Sequence, residues 1–272
     1  MKAYPLVSII LPTYNSEKYL TRSIDSALGQ TNKNIELIVV DGGSTDGTYA
    51  IISDLHKKEL RIKPVLSEGR LNFVKSLNYG ISISKGQYIA RLDSDDFWCD
   101  PNKLYKQVQF LESNPDYLLV GGGIIVINEQ GEELLRILHP RQDSDIRGRM
   151  LFDSPFAHST VVFRRDVCMS VGGYDERLDY CEDWDLWLRL GRMGKMYNFR
   201  DYFVCYTQGK HNRSNRVKDR RAAFKLRRKY RDDYVGFHKA VLLSGILYFY
   251  SFLPFSIRRL VRRALMLAGI YQ

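Results

Sequence analysis

The chain has 272 residues, 44% of them hydrophobic and 26% charged, which excludes wholesale disorder and a small module, and leaves room for one large domain with an appendage. Lys and Arg number 41 against 31 Asp and Glu, a formal net charge of +10, so a polyanionic partner is expected: nucleic acid, anionic lipid or a phosphorylated ligand. The four cysteines, Cys99, Cys168, Cys181 and Cys205, lie far apart without a CxxC pair, which argues against a zinc or redox motif and suits a reducing, cytoplasmic compartment.

In chain order, "PLVSIILPTYN" reads as a strand ending at Pro12. Its apolar run is too short for a signal peptide and is broken by that proline. "NSEKYLTRSIDSALGQ" follows helical spacing, with Tyr19, Leu20, Ser23, Ile24, Ala27 and Leu28 on one face, Asn15 or Ser16 as N-cap and Gly29 as the stop. "NIELIVV" is a second strand that runs into the loop "DGGSTDGT"; "TYAIISDLHKKE", "RIKPVLS", "LNFVKSLNYGISIS" and "QYIARL" continue as helix, strand, helix, strand. That alternation predicts a parallel sheet wrapped by helices. Ligands of such sheets sit at the carboxyl ends of the strands, so "PTYN", "DGGS" and "DSDD" are expected at one edge.

The second half is less regular. "LLVGGGIIVIN" and "STVVFRR" read as strands with a turn at "NEQGE". "CEDWDLWLRLGRMG" starts a helix with Asp183 and Asp185 in its first turn and Trp184, Leu188 and Leu190 free to pack. From Lys210 to Arg231 the chain is mostly basic, and residues 240–257 are uncharged and followed by "RRLVRR".

The run "DSDD" places three carboxylates in four residues at a strand end. Their repulsion requires water, a cation or a hydrogen-bonding ligand. Asp93 and Asp95, two apart, leave the strand on the same side, while Asp96 points elsewhere. Hard divalent cations such as Mg and Mn take carboxylate oxygen and share their other positions with phosphate and water. The bland alternative is a solvated loop in which Asp96 caps the helix starting near Pro101. "DGGSTDGT" lacks GxGxxG and opens on a carboxylate, which suits a hydrogen bond from a base N–H, as uracil offers, better than a phosphate; alternatively Asp41 closes an Asx-turn.

In combination, "VSIILPTYNSEKYLTRSIDSALGQT", "ELIVVDGGSTDGT", "KSLNYGISISKGQYIARLDSDD", "GGYDE" and "EDWDLWLRL" follow the order and spacing of glycosyltransferase family 2, which the sequence closely resembles along residues 6 to about 215. The resemblance implies an α/β GT-A fold, a Rossmann-like, mostly parallel sheet flanked by helices, with inverting chemistry and a nucleotide-diphosphate sugar donor. It divides the chain into a catalytic domain over 1–215, with a nucleotide-binding half (1–98) and an acceptor-binding half (99–215), and a basic, then apolar helical tail over 216–272. Pro12, Thr13, Tyr14, Asn15 and Glu17 match the first nucleotide-contacting segment, Asp41 the carboxylate that recognises the base, with Ser44 in the same loop. Asp93, beside Ser94, matches the ribose contact and Asp95 the ligand of a divalent metal, Mn or Mg, that bridges the diphosphate. Lys75 and Asn78 fall where donor-site residues lie. Many members have Asp-Asp-Gly-Ser where this chain has Asp41, Gly42, Gly43 and Ser44, so any role of the second Asp is absent.

Inversion needs a base to take the proton of the attacking acceptor hydroxyl. The resemblance assigns it to Asp183, with Glu182 as the acceptor-side alternative; either also favours a helix N-terminus electrostatically. His158 lines the acceptor side or is a structural histidine. His211 resembles a late segment near the diphosphate and either completes the metal shell or contacts phosphate.

Two other functions compete. A basic polyanion-binding module would rest on residues 210–231, but that run lacks aromatic interleaving and leads into an apolar segment, so no nucleic-acid partner is expected. A sugar nucleotidyltransferase would show a Gly-rich triphosphate loop after the first strand, which "PTYNSEKYL" is not. Residues 240–257 reach only the lower limit of a membrane span and contain Pro254. With Tyr248, Phe249, Tyr250, Phe252 and Phe255 inside and Arg258, Arg259, Arg262 and Arg263 beside them, they read as an interfacial segment on the anionic inner face of the cell membrane. That place suits a saccharide acceptor linked to lipid, of the kind used in bacterial surface polysaccharide.

Overall fold

The computed structural model describes residues 4–67, 69–209 and 216–250. Strands β1 (Val7–Thr13), β2 (Ile35–Asp41), β3 (Ile62–Leu66) and β4 (Tyr88–Arg91) are linked by helices α1 (Leu20–Leu28), α2 (Thr48–Lys58) and α3 (Phe73–Ile83). All three strand pairings in this half are parallel, as the alternation predicts. Every residue of β1 and β2 is buried, the pattern of a sheet covered on both faces. Successive side chains of β1 enter opposite layers: Ile10 packs with Val74 and Leu77 of α3, and Ile9 and Leu11 with Leu20 and Ile24 of α1.

The chain continues through β5 (Phe97–Trp98), α4 (Lys103–Ser113), β6 (Tyr117–Ile127), β7 (Glu133–Ile137), α5 (Asp143–Arg149), a single 3-10 turn (His158–Thr160), β8 (Val162–Arg164), α6 (Arg165–Ser170), α7 (Glu182–Gly191) and β9 (Lys195–Thr207). Among the described residues the nine strands form one mixed sheet in the order β3-β2-β1-β4-β8-β6-β9-β5, with β7 paired to β6. The thirteen-residue β9 was not anticipated; it runs parallel to β6 and carries Arg200 and Asp201 mid-strand, which hides its pattern. Close approach across β6 requires its glycines: a Cβ on Gly121 would come within 2.4 Å of Asn198 Oδ1, and one on Gly122 within 2.4 Å of the Phe203 ring.

Two local expectations are corrected. Helix α1 begins at Leu20, not beside Asn15 or Ser16. Asn15 has φ +48, and the Ser16 carbonyl accepts from the N–H groups of Tyr19 (2.9 Å) and Leu20 (3.0 Å), so residues 15–19 form a turn ahead of the helix. Asp96 caps no helix. It is buried, with Oδ2 2.6 Å from Ser159 Oγ and Oδ1 accepting from the Thr207 N–H at 3.1 Å.

Helices α8 (Arg216–Lys229) and α9 (Phe237–Tyr250) follow. Leu226, Tyr230, Tyr234 and Ala240 are buried in the same core cluster as Trp184 and Leu188 of α7. No described helix is long and apolar enough to cross a membrane. His211 and the expected interfacial residues 251–263 lie outside the described residues.

Candidate active site

Because β1, β2 and β4 are parallel neighbours, with Thr13 in register with Asp41, their carboxyl ends share one edge, and a cleft of about 1310 Å³ opens there. Pro12, Thr13, Tyr14, Asn15 and Glu17 line it from the end of β1, and Asp93, Ser94 and Asp95 from the end of β4. His158, Glu182 and Asp183 are the other predicted residues that line it. The β1 and β2 loops interlock beside the cleft: Asn15 Oδ1 accepts from the Thr45 N–H (2.8 Å) and Glu17 Oε2 from the Gly47 N–H (2.9 Å).

The crowding of carboxylates is met from below by Arg91, the last residue of β4 and fully buried. Its Nη2 donates to Asp93 Oδ1 at 2.6 Å, its Nε to His158 Nε2 at 3.1 Å, and its Nη1 to the carbonyls of Leu92 (3.2 Å) and Ile10. Burial would raise the Asp93 carboxyl, but the Arg91 guanidinium beside it holds it below the usual range. Asp95 has no guanidinium bonded to its carboxylate: burial, then the charge of Asp93, pushes it up to about 6 against the weaker pull of Arg22, which donates to its carbonyl at 3.3 Å. Asp96 is driven well above its ordinary value by burial, then by Asp95 and Asp93. The Ser159 hydroxyl lies 3.1 Å from Asp93 Oδ2 and 2.6 Å from Asp96 Oδ2, so its single proton is shared out between the two carboxyl groups it links.

The backbone of the motif is pinned as well. Thr207 Oγ1 donates to the Asp95 carbonyl at 2.6 Å, and Ser23 Oγ to the Ser94 carbonyl at 2.9 Å. Asp95 therefore has a fixed main chain and a half-buried carboxylate that accepts no hydrogen bond from another described residue.

His158 is neutral. Burial, then the Arg91 charge, lowers it to about 3 against the pull of Asp93. Its Nε2 accepts from Arg91 and from the Tyr174 hydroxyl (2.7 Å), which leaves the ring proton on Nδ1. Asp183 lies in the first turn of α7, after Cys181 in a left-handed conformation with φ 61. Burial, then the Asp93 charge, raises its carboxyl to about 6, although the Trp184 N–H donates to it at 2.7 Å. A carboxylate poised there titrates close to the pH at which it would act as a base.

Four predicted residues do not line the cleft. Asp41 is 3% exposed and accepts from the N–H (3.3 Å) and hydroxyl (2.5 Å) of Ser44, so these two close the Asx-turn. Lys75 contributes its N–H to the Asn72 cap of α3 at 2.8 Å. Asn78 ties two segments together: Nδ2 donates to the Tyr174 carbonyl (2.9 Å) and Oδ1 accepts from the Tyr174 N–H (2.8 Å), joining α3 to the "GGYDE" loop. Sequence reasoning also missed Arg91, whose signal was a lone charge in an apolar strand. It missed Arg70 too, which lines the cleft with its guanidinium 5.1 Å from the Tyr14 ring.

A parallel half, a mixed half and a carboxylate cleft at the strand ends make up a GT-A fold, and solved glycosyltransferases of that class share it. Staphylococcus aureus TarS in complex with UDP-GlcNAc matches with a TM-score of 0.67 and 22% identity over 82% of this chain and 64% of that one. The mannosyltransferase PcManGT of Pyrobaculum calidifontis, in complex with GDP-Man and Mn2+, matches with a TM-score of 0.66 and 16% identity over 98% of this chain and 81% of that one. Residues 8–172 match the model of glycosyl transferase family 2, and the chain belongs to that family. The O-antigen biosynthesis glycosyltransferase WbnJ of Escherichia coli is 37% identical over 194 residues, 70% of this chain and 73% of WbnJ. The chain spans 66 to 73% of the length of the first curated relatives it matches.

Proposed function

We propose that the protein transfers a sugar, with inversion, from a nucleotide-diphosphate sugar, most simply a UDP-sugar, to a saccharide acceptor in the biosynthesis of a surface polysaccharide. The observation that carries this reading is the pair of carboxylates in one cleft, Asp95 and Asp183, each raised to about 6 by burial and the Asp93 charge against the weaker pull of Arg22 and Arg91 respectively. The complexes of TarS and PcManGT support a nucleotide-sugar donor, and the name of WbnJ supports the polysaccharide context.

Asp95 fits a divalent cation. It offers hard oxygen, its main chain is fixed by Thr207 and Arg22, and its carboxylate bonds no basic side chain among the described residues, although the Arg22 charge lies near it. No cluster of three or more metal-ligating side chains exists among the described residues, which suits an ion that takes the rest of its shell from phosphate and water; Mn or Mg there would neutralise the charge developing on the leaving diphosphate. The remaining work belongs to the chain's own groups. Asp93, kept ionised by Arg91, accepts a ribose hydroxyl, and the turn at 12–17 holds the nucleotide. Asp183 takes the proton of the acceptor hydroxyl as the new bond forms. Neutral His158 flanks the acceptor side. Membrane placement, through α9 and the apolar residues after it, would deliver a lipid-linked acceptor to this cleft.

Against the polyanion-binding alternative, two basic residues of the run are engaged within the chain: Arg227 is buried against the carbonyls of Leu151 and Phe152, and Lys229 pairs with Asp185. The decisive experiment is a panel of UDP- and GDP-sugars scored for hydrolysis and thermal stabilisation with Mn2+ or with EDTA. Metal-dependent turnover of one donor is expected; a flat panel together with tight, salt-sensitive binding of nucleic acid would overturn the reading.

A further inference from the structure

Helix α7, which carries Asp183, is tied to α8 and the turn after it at three successive levels. Asp185 is fully buried. Its Oδ2 accepts from Arg189 Nε at 2.8 Å, and its Oδ1 from both Lys229 Nζ and the Tyr230 hydroxyl at 2.8 Å. One residue earlier, the Trp184 indole donates to the Met150 carbonyl at 2.7 Å and lies 5.2 Å from the Arg227 guanidinium, which itself donates to the carbonyls of Leu151 and Phe152 at 2.7 Å. One turn later the Tyr234 hydroxyl donates to the Leu188 carbonyl at 2.8 Å.

A buried carboxylate needs all of its donors, because an uncompensated charge in the interior is costly. Two of the three donors to Asp185 come from residues more than forty positions downstream, so the first turn of α7 is electrostatically complete only with α8 in place. Apolar contacts through Leu226 would bind the two helices without any charge. Charged, directional hydrogen bonds add a fixed position instead.

We propose that α8 is a positioning element for the reaction: Lys229, Tyr230 and Arg227 set the place of the first turn of α7 and thereby hold Asp183 in the cleft. The proposal rests on the reading of Asp183 as the base. It makes the catalytic unit extend through Tyr234, and it gives the basic run a partner within the chain. Arg189 carries the same network to the far side of the site, donating to the carbonyls of Val171 (2.8 Å) and Gly173 (2.6 Å), next to the Tyr174 that bonds His158.

The test uses the full chain, Mn2+, UDP as the binding probe, and hydrolysis of whichever of UDP-GlcNAc, UDP-glucose, UDP-galactose or GDP-mannose is turned over fastest. Lys229→Met, Tyr230→Phe and the double variant are compared with Lys229→Arg and with Asp183→Asn. The double variant is expected to lose about 10-fold or more in kcat while the KM for the nucleotide sugar and the Kd for UDP stay within about twofold, and Lys229→Arg to recover most of the loss. If the double variant melts below the assay temperature, the same split is read on Tyr230→Phe, which keeps the buried ring. Native kcat in these variants, or kcat and UDP affinity falling together, would overturn the proposal. Native kcat in Asp183→Asn would instead remove the base assignment, whatever the α8 variants do.

Discussion

Arg91 Nη2 lies 2.6 Å from Asp93 Oδ1, and the guanidinium that makes this contact is fully buried at the foot of a run that holds three carboxylates in four residues. Its positive charge holds the Asp93 carboxyl below the usual range, while burial and the neighbouring carboxylates drive Asp96 well above it. Replacing Arg91 by methionine leaves a buried carboxylate unpaired and frees His158 from a donor. Arg91→Met is expected to cost about 3–5 kcal/mol of stability, read as the midpoint and slope of urea unfolding. A loss below about 1 kcal/mol, the scale of an exposed pair, would show that the cluster is solvated after all.

Asp95→Asn removes a carboxylate that burial and the Asp93 charge disfavour more than the Arg22 charge favours it, so the fold should survive, with an unchanged or raised melting temperature. Calorimetry of UDP binding should then show no gain on adding Mn2+, whereas the native protein gains affinity with the ion. Metal-enhanced UDP binding persisting in the variant would assign the metal to other ligands.

Asp183→Asn should leave UDP affinity unchanged, because the carboxylate acts on the acceptor, and lower turnover by about 10²–10⁴-fold. Parallel loss of UDP affinity would place Asp183 in the nucleotide site.

The pH profile follows from the same residue. The base works only when deprotonated, and burial with the Asp93 charge raises its carboxyl to about 6. Turnover should therefore rise with pH through that region and be lost progressively below it. An acid limb lying at the ordinary carboxylate range, near 4, would mean that Asp183 is solvated or is not the base.

The tail makes a separate prediction. Helix α9 is apolar with Leu242 and Ile246 exposed, and the chain after it adds aromatic residues and four arginines. The full chain should sediment with anionic vesicles and be only partly released by high salt, since apolar burial is not screened. A chain ending at Tyr250 keeps Tyr230, Tyr234 and Ala240 in the core and should stay in the supernatant with donor binding intact. Equal sedimentation of both forms would remove the membrane role from the last twenty-two residues.

Strand ends and their polar punctuation were legible because a parallel sheet fixes where its ligands sit: alternating apolar runs placed β1 to β4, and "PTYN" and "DSDD" marked the edge before any coordinates. The resemblance carried by those motifs also placed Asp183 across the cleft. Local chemistry was less decisive where two partners competed for one side chain. Asp41 turned to Ser44 and Asn78 to Tyr174, since a hydrogen bond within reach in the fold satisfies a polar group as well as a ligand does. What only the tertiary structure decided lies between residues distant in the chain. No local pattern could announce that Arg91 would neutralise Asp93 and silence His158, that Thr207 would pin Asp95, or that Lys229 and Tyr230 would close on Asp185. Periodicity and turn chemistry act over a few residues and can be read in sequence, whereas burial and the pairing of charges depend on which distant segments share an interior.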